Sequence, residues 1–191
     1  YDLHLSARLM ARYHGVLDVH RPAGYFRAIA PDGVPTLFRA TQPTPDAPLT
    51  LTFLVRDPTP TARRVAARIL ATADDFTDFY ALARTDDRLW PIVEPLSGLH
   101  HFQSETVFGA LMQVIIEQQI SLAAALRAQR ALAVWGGRAV AYLGETYFIF
   151  PAPSQLAEAD PEALHALLKI TRRRVAVMQS VAQQITNGQL N

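Results

Sequence analysis

The sequence predicts an α+β protein in which an antiparallel sheet with helices is followed by a region made only of helices. Three observations carry this prediction. Residues 25–56 alternate apolar and polar side chains with a period of two, which is typical of half-buried strands. After Asp57-Pro58-Thr59-Pro60 the apolar spacing changes to the helical period, and no strand pattern of useful length follows Ser104. Strands followed by helices are typical of α+β architecture.

The strand block divides into three strands. Residues 25–30 and 36–42 flank the turn sequence Pro31-Asp32-Gly33, and the third strand covers residues 49–56. In that strand Leu49, Leu51, Phe53 and Val55 share one face. Three prolines in residues 43–48 make that segment a loop. We therefore expect an antiparallel sheet with one buried face.

Two helices follow the sheet, the first around Val65 and Ile69 and the second from Phe76 to Ala83, started by Asp74-Asp75. Ser104 is the expected N-cap of the next helix. Its predicted apolar stripe consists of Val107, Phe108, Leu111, Val114 and Ile115.

The last part of the chain shows clear helix start and stop residues. A helix over 122–135 ends at Gly136-Gly137, and residues 150–154 start another. Asp160 before a proline and Thr171 are expected N-caps, and Asn187-Gly188 is the stop of the last helix. These signals predict two domains, an α+β domain over residues 1–98 and a helical domain over residues 99–191.

At 191 residues, with 50% apolar and 18% charged residues, the chain is long enough to bury a substantial core. No apolar run approaches the ~20 residues that span a bilayer, and no charged-then-apolar leader is visible. The absence of cysteine excludes disulfides, a cysteine nucleophile and thiolate ligation of a metal or iron–sulfur cluster. We expect a soluble cytoplasmic protein.

Basic residues concentrate near the end of the sequence, although its net charge is only +1. Residues 163–191 contain Lys169, Arg172, Arg173 and Arg174 and no Asp or Glu. Of the 18 basic residues all but one are arginine, which suits bidentate phosphate contacts, but genome base composition is the better explanation of this bias. The run 172–174 lies in the first turn of a predicted helix, where the helix dipole disfavours cations. It is expected either to bind an anion such as DNA phosphate or to pair with acids elsewhere or face water.

Gln118, Gln119, Ile120 and Ser121 lie between the two most apolar predicted helices. Amide side chains at such a junction can hydrogen-bond base edges or sugar oxygens. Ser121 can cap the second helix, whose first backbone amides then face an anion such as phosphate. The alternative is an ordinary polar corner between helices, and spacing alone does not separate these two interpretations.

Three blocks of the sequence follow a known pattern. Residues 108–124 match the run F-x-x-L-V-x-x-I-I-x-Q-Q-I-S-x-x-A-A, and residues 150–164 match F-P-T-P-x-x-L-A-x-A-D-P-x-x-L. The third block covers residues 171–188, and residues 68–70 and 79–82 add weaker matches upstream. In this order the blocks resemble the DNA-3-methyladenine glycosylase II family of the helix–hairpin–helix DNA glycosylase superfamily.

The resemblance implies base-excision repair, in which the enzyme flips an alkylated base out of the duplex and hydrolyses its N-glycosidic bond. It implies that Gln119 is the wedge that fills the gap left by the flipped base, with Gln118 beside it and Ile120 behind it. Gln118, Gln119, Ile120, Ser121, Arg172 and Arg173 are the expected DNA-binding residues. The implied partner is double-stranded DNA with damaged bases, bound by a monomer without a cofactor or metal, at the nucleoid if the source is bacterial.

The family continues beyond this point with a glycine-rich hairpin and a catalytic aspartate, and no G-x-G occurs in this sequence. We therefore expect no catalytic residue in this chain, which reads more simply as a fragment than as a natural truncation. Three functions remain open: a glycosylase for alkylated purines such as 3-methyladenine, a non-enzymatic damaged-DNA-binding module of the same fold, and an oxidised-guanine glycosylase.

Overall fold

The computed structural model describes residues 1–14, 16–45 and 47–190, and only the backbone of His14. The first part of the chain begins with helix α1 (Leu3–His14). It continues with strands β1 (Val19–Arg21), β2 (Gly24–Ile29), β3 (Thr36–Thr41) and β4 (Thr50–Phe53). Helices α2 (Pro60–Ile69), α3 (Thr77–Ala83) and α4 (Trp90–Val93) follow, and a short 3₁₀ helix covers Glu94–Leu96. The four strands form one antiparallel sheet in chain order.

The second part contains α5 (Val107–Glu117), α6 (Leu122–Gly136), α7 (Pro153–Ala157), α8 (Pro161–Leu168) and α9 (Arg172–Thr186). An antiparallel hairpin of β5 (Ala139–Tyr142) and β6 (Glu145–Phe148) lies between α6 and α7. None of the helices in the described residues is long and apolar enough to cross a membrane. The predicted α+β class is confirmed, whereas the boundary between residues 98 and 99 stays a prediction.

The β5–β6 hairpin corrects the expectation that no strand follows Ser104. Its strands have four residues each, too short for a clear period of two. Its turn is Leu143-Gly144, where both residues have positive φ, rather than a common turn pair such as Asn-Gly. Val140 and Tyr147 pair across the hairpin and are buried against Phe26 and Leu37 of the large sheet. This tertiary contact stabilises a hairpin that is marginal by itself.

Predicted caps agree with the structure in most places. Thr171 and Asp160 accept hydrogen bonds from the first-turn amides of α9 and α8, and Gly137 ends α6 in the left-handed conformation. The prediction for Ser104 was wrong: Thr106 caps α5 by accepting from the Gly109 amide at 3.0 Å. Ser104 instead donates its hydroxyl to Gln113 Oε1.

The apolar face of α5 also differs from the predicted stripe. Its buried apolar side chains are Phe108, Met112, Ile115 and Ile116, whereas Val107 and Val114 are each 53% exposed. The spacing i, i+4, i+7, i+8 is as helical as the predicted one, so periodicity alone does not choose between adjacent faces. In the sheet, Val55 is exposed because β4 ends at Phe53. Helix α1 and strand β1 were not anticipated.

A buried charged pair joins the start of the sheet to its second strand. Asp18 accepts hydrogen bonds from the Tyr25 hydroxyl and from Arg27 Nη1, and all three residues are buried. Burial and the Asp18 carboxylate raise the pKa of Tyr25 well above its ordinary value. Burial opposes the charge on Arg27, but the nearby Asp18 still raises its pKa above the ordinary value. The guanidinium of Arg27 therefore stays charged beside Asp18 in the interior of the protein.

Removing one member of this pair leaves a buried charge without its counter-charge. We expect Asp18→Ala to lower the free energy of unfolding by about 3–5 kcal/mol, measured by denaturant unfolding. The double variant Asp18→Ala/Arg27→Met carries no buried charge at this place and should recover at least half of the loss. A double variant no more stable than the single one would contradict this account.

Candidate functional site

The turn predicted between the two apolar helices is present and exposed. Helix α5 ends at Glu117, and the amide of Gln118 still donates to the Val114 carbonyl at 3.2 Å. Gln119 has a φ of +55°, in the left-handed region. Ser121 caps α6 by accepting from the Ala124 amide at 3.3 Å, as the sequence predicted. The resulting corner turns the chain within three residues.

Polar and apolar residues of this turn have separate environments. Gln118, Gln119 and Ser121 are exposed, whereas Ile120 is half-buried and packs against the helical core. Within the part of the chain that the structure describes, the side-chain amides of Gln118 and Gln119 have no hydrogen-bond partner. Two unpartnered amides therefore face the solvent on a turn that Ile120 anchors.

Arg174 ties this turn to a helix that is distant in sequence. Its Nη2 donates to the main-chain carbonyl of Gln118, a contact across 56 residues. Carbonyls at the end of an α-helix lack intrahelical donors, and a guanidinium near that end also interacts favourably with the helix dipole. Sequence analysis assigned Arg174 only to the basic run and missed this contact. The run of three arginines was its only visible signal.

The three consecutive arginines have three different environments. Arg172 forms a bidentate ion pair with Glu162, with Nε–Oε1 and Nη2–Oε2 distances of 2.9 Å. The hydrogen bond raises the pKa of Arg172 and lowers that of Glu162. Arg173 is exposed and has no partner among the described side chains. Arg172 thus pairs with an acid and Arg173 faces water, the second of the two alternatives, whereas binding of an anion by this run stays a prediction.

The other acids near the turn hold structure in place. Gln129 is fully buried on α6 and donates its Nε2 to Glu117 Oε1 at 2.7 Å, which joins α5 to α6. Asp160 caps α8 through the amides of Glu162 and Ala163, both at 3.2 Å. The carboxylates of Glu117 and Asp160 thus already accept hydrogen bonds within the protein and have structural roles.

Trp135, Phe148 and His100 are side chains of types that often line binding sites, and all three have structural positions. Trp135 and Phe148 are half-buried against the helical core, and the Arg130 guanidinium lies 5.7 Å from the Phe148 ring centroid. His100 is buried, with its Nδ1 3.0 Å from the Ala71 carbonyl, and burial lowers its pKa. Over residues 1–14, 16–45 and 47–190, no cluster of His, Asp and Glu is suited to hold a metal ion.

A cavity of about 300 Å³ lies between the sheet and the N-terminal end of α5, and sequence analysis did not predict it. Its polar lining includes Arg27, Glu105 and Arg138. Glu105 Oε1 accepts from the Ala30 amide at 2.7 Å. Burial raises the pKa of Glu105, and the Ala30 amide and nearby arginines partly oppose that shift. This carboxylate links the sheet to the helical part.

The Arg174 contact yields a testable expectation. Arg174→Ala removes the donor to Gln118, so residues 118–121 should exchange amide hydrogens several-fold faster while the core amides of α5 do not change. An exposed charge-assisted hydrogen bond of this kind contributes roughly 0.5–1.5 kcal/mol to local stability. Arg173→Ala is the matched control and should leave exchange unchanged. Equal exchange at this turn in both variants would show that packing of Ile120 alone holds it.

Comparison with known proteins agrees with the resemblance seen in the sequence. No model of a known protein family matches the chain. A curated relative, the DNA-3-methyladenine glycosylase of Bacillus subtilis (strain 168), is 27% identical over 118 residues, which is 62% of this chain and 39% of that protein. This chain therefore spans well under half the length of that relative.

Solved structures share the fold over nearly the whole chain. The 3-methyladenine DNA-glycosylase from Archaeoglobus fulgidus superposes with a TM-score of 0.80 at 20% identity, covering 95% of this chain and 63% of that one. The 8-oxoguanine glycosylase/lyase of Clostridium acetobutylicum, in complex with double-stranded DNA, gives 0.70 at 15% identity, covering 95% and 60%. The chain is thus similar in sequence to a DNA-3-methyladenine glycosylase and shares its fold with solved 3-methyladenine and 8-oxoguanine glycosylases.

Proposed function

We propose that this chain is the damage-recognition part of a DNA glycosylase of base-excision repair. The observation that carries the proposal is the exposed turn at residues 118–121, where two unpartnered amides project from a corner fixed by Ile120 and Arg174. Relatives named as 3-methyladenine and 8-oxoguanine glycosylases, one of them in complex with double-stranded DNA, support it.

The turn has the properties that a wedge requires. Flipping a base costs a few kcal/mol of stacking and pairing, and least for a damaged base. A side chain that fills the space left by the flipped base stabilises the flipped state only if the backbone that carries it is rigid. Gln119 is held in a left-handed conformation that non-glycine residues seldom adopt, and such strained residues cluster at functional sites. Its amide can also hydrogen-bond the orphaned partner base.

Phosphate groups next to the wedge have three candidate partners. The first amides of α6 have no intrahelical acceptors; the Ala124 amide donates to the Ser121 hydroxyl, and the Ala125 amide is the first to bond a backbone carbonyl, that of Ser121. A helix N-terminus with free amides favours an anion. Arg173 supplies an open cation at the start of α9. Arg172 remains a candidate because water screens the exposed Arg172–Glu162 ion pair, so a DNA phosphate can replace the glutamate.

The proposed reaction is hydrolysis of the N-glycosidic bond of an alkylated purine such as 3-methyladenine. Glycosidic cleavage develops positive charge on the sugar, which a carboxylate stabilises. We assign that role to none of the described acids, because Asp160 and Glu117 are engaged as helix cap and α5–α6 link. The part that we propose for this chain is selection and exposure of the damaged nucleotide.

Binding to damaged duplex tests the wedge. Gln119→Ala should weaken binding to a duplex with an abasic site by about 5- to 30-fold, corresponding to roughly 1–2 kcal/mol, and should change binding to an undamaged duplex much less. The measurement is fluorescence anisotropy with both duplexes. Gln183→Ala, which removes an exposed glutamine from α9, is the matched control. An equal loss on both duplexes would make Gln119 a general backbone contact instead.

Release of free base tests the activity. The whole glycosylase of which we propose this chain to be a part should release alkylated purines from methylated DNA, as measured by chromatography of the supernatant, whereas this chain by itself should bind the abasic duplex without release. Selective binding without release by the whole protein would favour the non-enzymatic damaged-DNA-binding module. Absence of any preference for damaged duplex would contradict both functions.

A further inference from the structure

A narrow groove of about 180 Å³ lies beside the turn, between α6 and the end of α8. Its floor is apolar and includes Ile120, Ala128 and Leu168. Two cations lie on its lining, Arg127 from α6 and Lys169 from the residue that follows α8. The groove thus combines an apolar floor with two cations on its lining.

Lys169 occupies an unusual backbone position. Its φ of +54° and ψ of +36° are left-handed, a conformation that glycine adopts more readily than lysine. The backbone around it is well held, because its amide donates to the His165 carbonyl at 3.0 Å and His165 Nδ1 lies 2.6 Å from the Ile170 carbonyl. This held backbone fixes the position from which the Lys169 side chain reaches the groove.

Neither cation of the groove is neutralised by the protein. Arg127 and Lys169 are both exposed, and no acid lies within ion-pair distance of either among the residues that the structure describes. By contrast, the nearby Arg172 pairs with Glu162 and Arg174 bonds the Gln118 carbonyl. An anion is therefore the missing partner at this groove, and the apolar floor favours a ligand that also carries apolar surface.

A nucleic-acid strand has this composition, because its backbone alternates phosphates with largely apolar sugar faces. We propose that the groove binds the sugar–phosphate backbone of the DNA strand adjacent to the wedge. Arg127 and Lys169 contact phosphates, and a deoxyribose lies over Ile120 and Leu168. This inference rests on the proposed DNA-binding function and extends it to Arg127 and Lys169, which lie outside the 118–121 turn and the arginine run.

The salt dependence of binding to the abasic duplex tests the groove. Each phosphate contact that is lost should reduce the slope of log K against log salt by about 0.9. Lys169→Gly and Arg127→Gln should each show that reduction and bind about 5- to 10-fold more weakly at low salt. Arg63→Gln removes an exposed cation from α2 and is the matched control, with no expected change in slope.

Lys169→Gly separates binding from folding, since glycine relieves the left-handed backbone. Its melting temperature should be equal to or above that of the wild type while its DNA affinity falls. A wild-type protein that does not bind the duplex would overturn the proposed function itself. If the wild type binds normally but Lys169→Gly and Arg127→Gln leave the salt slope unchanged, the groove proposal is wrong and the proposed function stands. The same conclusion follows if Arg63→Gln changes the slope as much as these two variants do.

Discussion

Burial of one face of α5 is the constraint on which the rest of the site depends. Met112 and Ile116 are fully buried, and Phe108 and Ile115 nearly so, in a core shared with α6 and α9. Removing a large apolar side chain from such a core costs about 2–5 kcal/mol, so the axis of α5 cannot shift freely. Because the turn at residues 118–121 begins where α5 ends, the packing of α5 fixes the position of the turn. A rigid corner is what an inserted side chain needs.

Where this protein can bind an anion depends on which basic residues lack a partner and not on the net charge of the chain. The net charge of +1 conceals a clear division among the basic residues near the turn. Arg172 is used in an ion pair and Arg174 in a bond to a carbonyl, whereas Arg127, Lys169 and Arg173 have no partner in the described residues. Neutralised arginines stabilise the protein, and the open cations define where an anion can bind. A local basic surface of this kind can therefore form on a chain whose net charge is close to zero.

Two of the four non-glycine residues with positive φ in the described part of the chain lie on the surface that carries the unpaired cations. Gln119 and Lys169 both adopt the left-handed conformation without being glycine. Each follows the end of a helix and precedes an isoleucine that packs into the core, Ile120 or Ile170. Packing of the isoleucines compensates for the unfavourable backbone, and the polar side chains are left pointing away from the core. Two such corners on either side of one groove give the surface a fixed shape.

Short-range rules explain what the sequence alone determined: the α+β class, the strands β2 and β3, and most caps, including Ser121, Asp160 and Thr171. Each depends on residues within about four positions of one another. Tertiary structure decided the rest. The β5–β6 hairpin forms because Tyr147 packs on the large sheet, the buried face of α5 depends on its neighbours, and Arg174 reaches Gln118 across 56 residues. Whether a basic residue has a hydrogen-bond or ion-pair partner likewise depends on residues that are distant in the sequence. Local sequence specifies how a helix begins and ends, but the contacts that leave Gln119 and Lys169 exposed and Arg174 engaged exist only after the helices have packed.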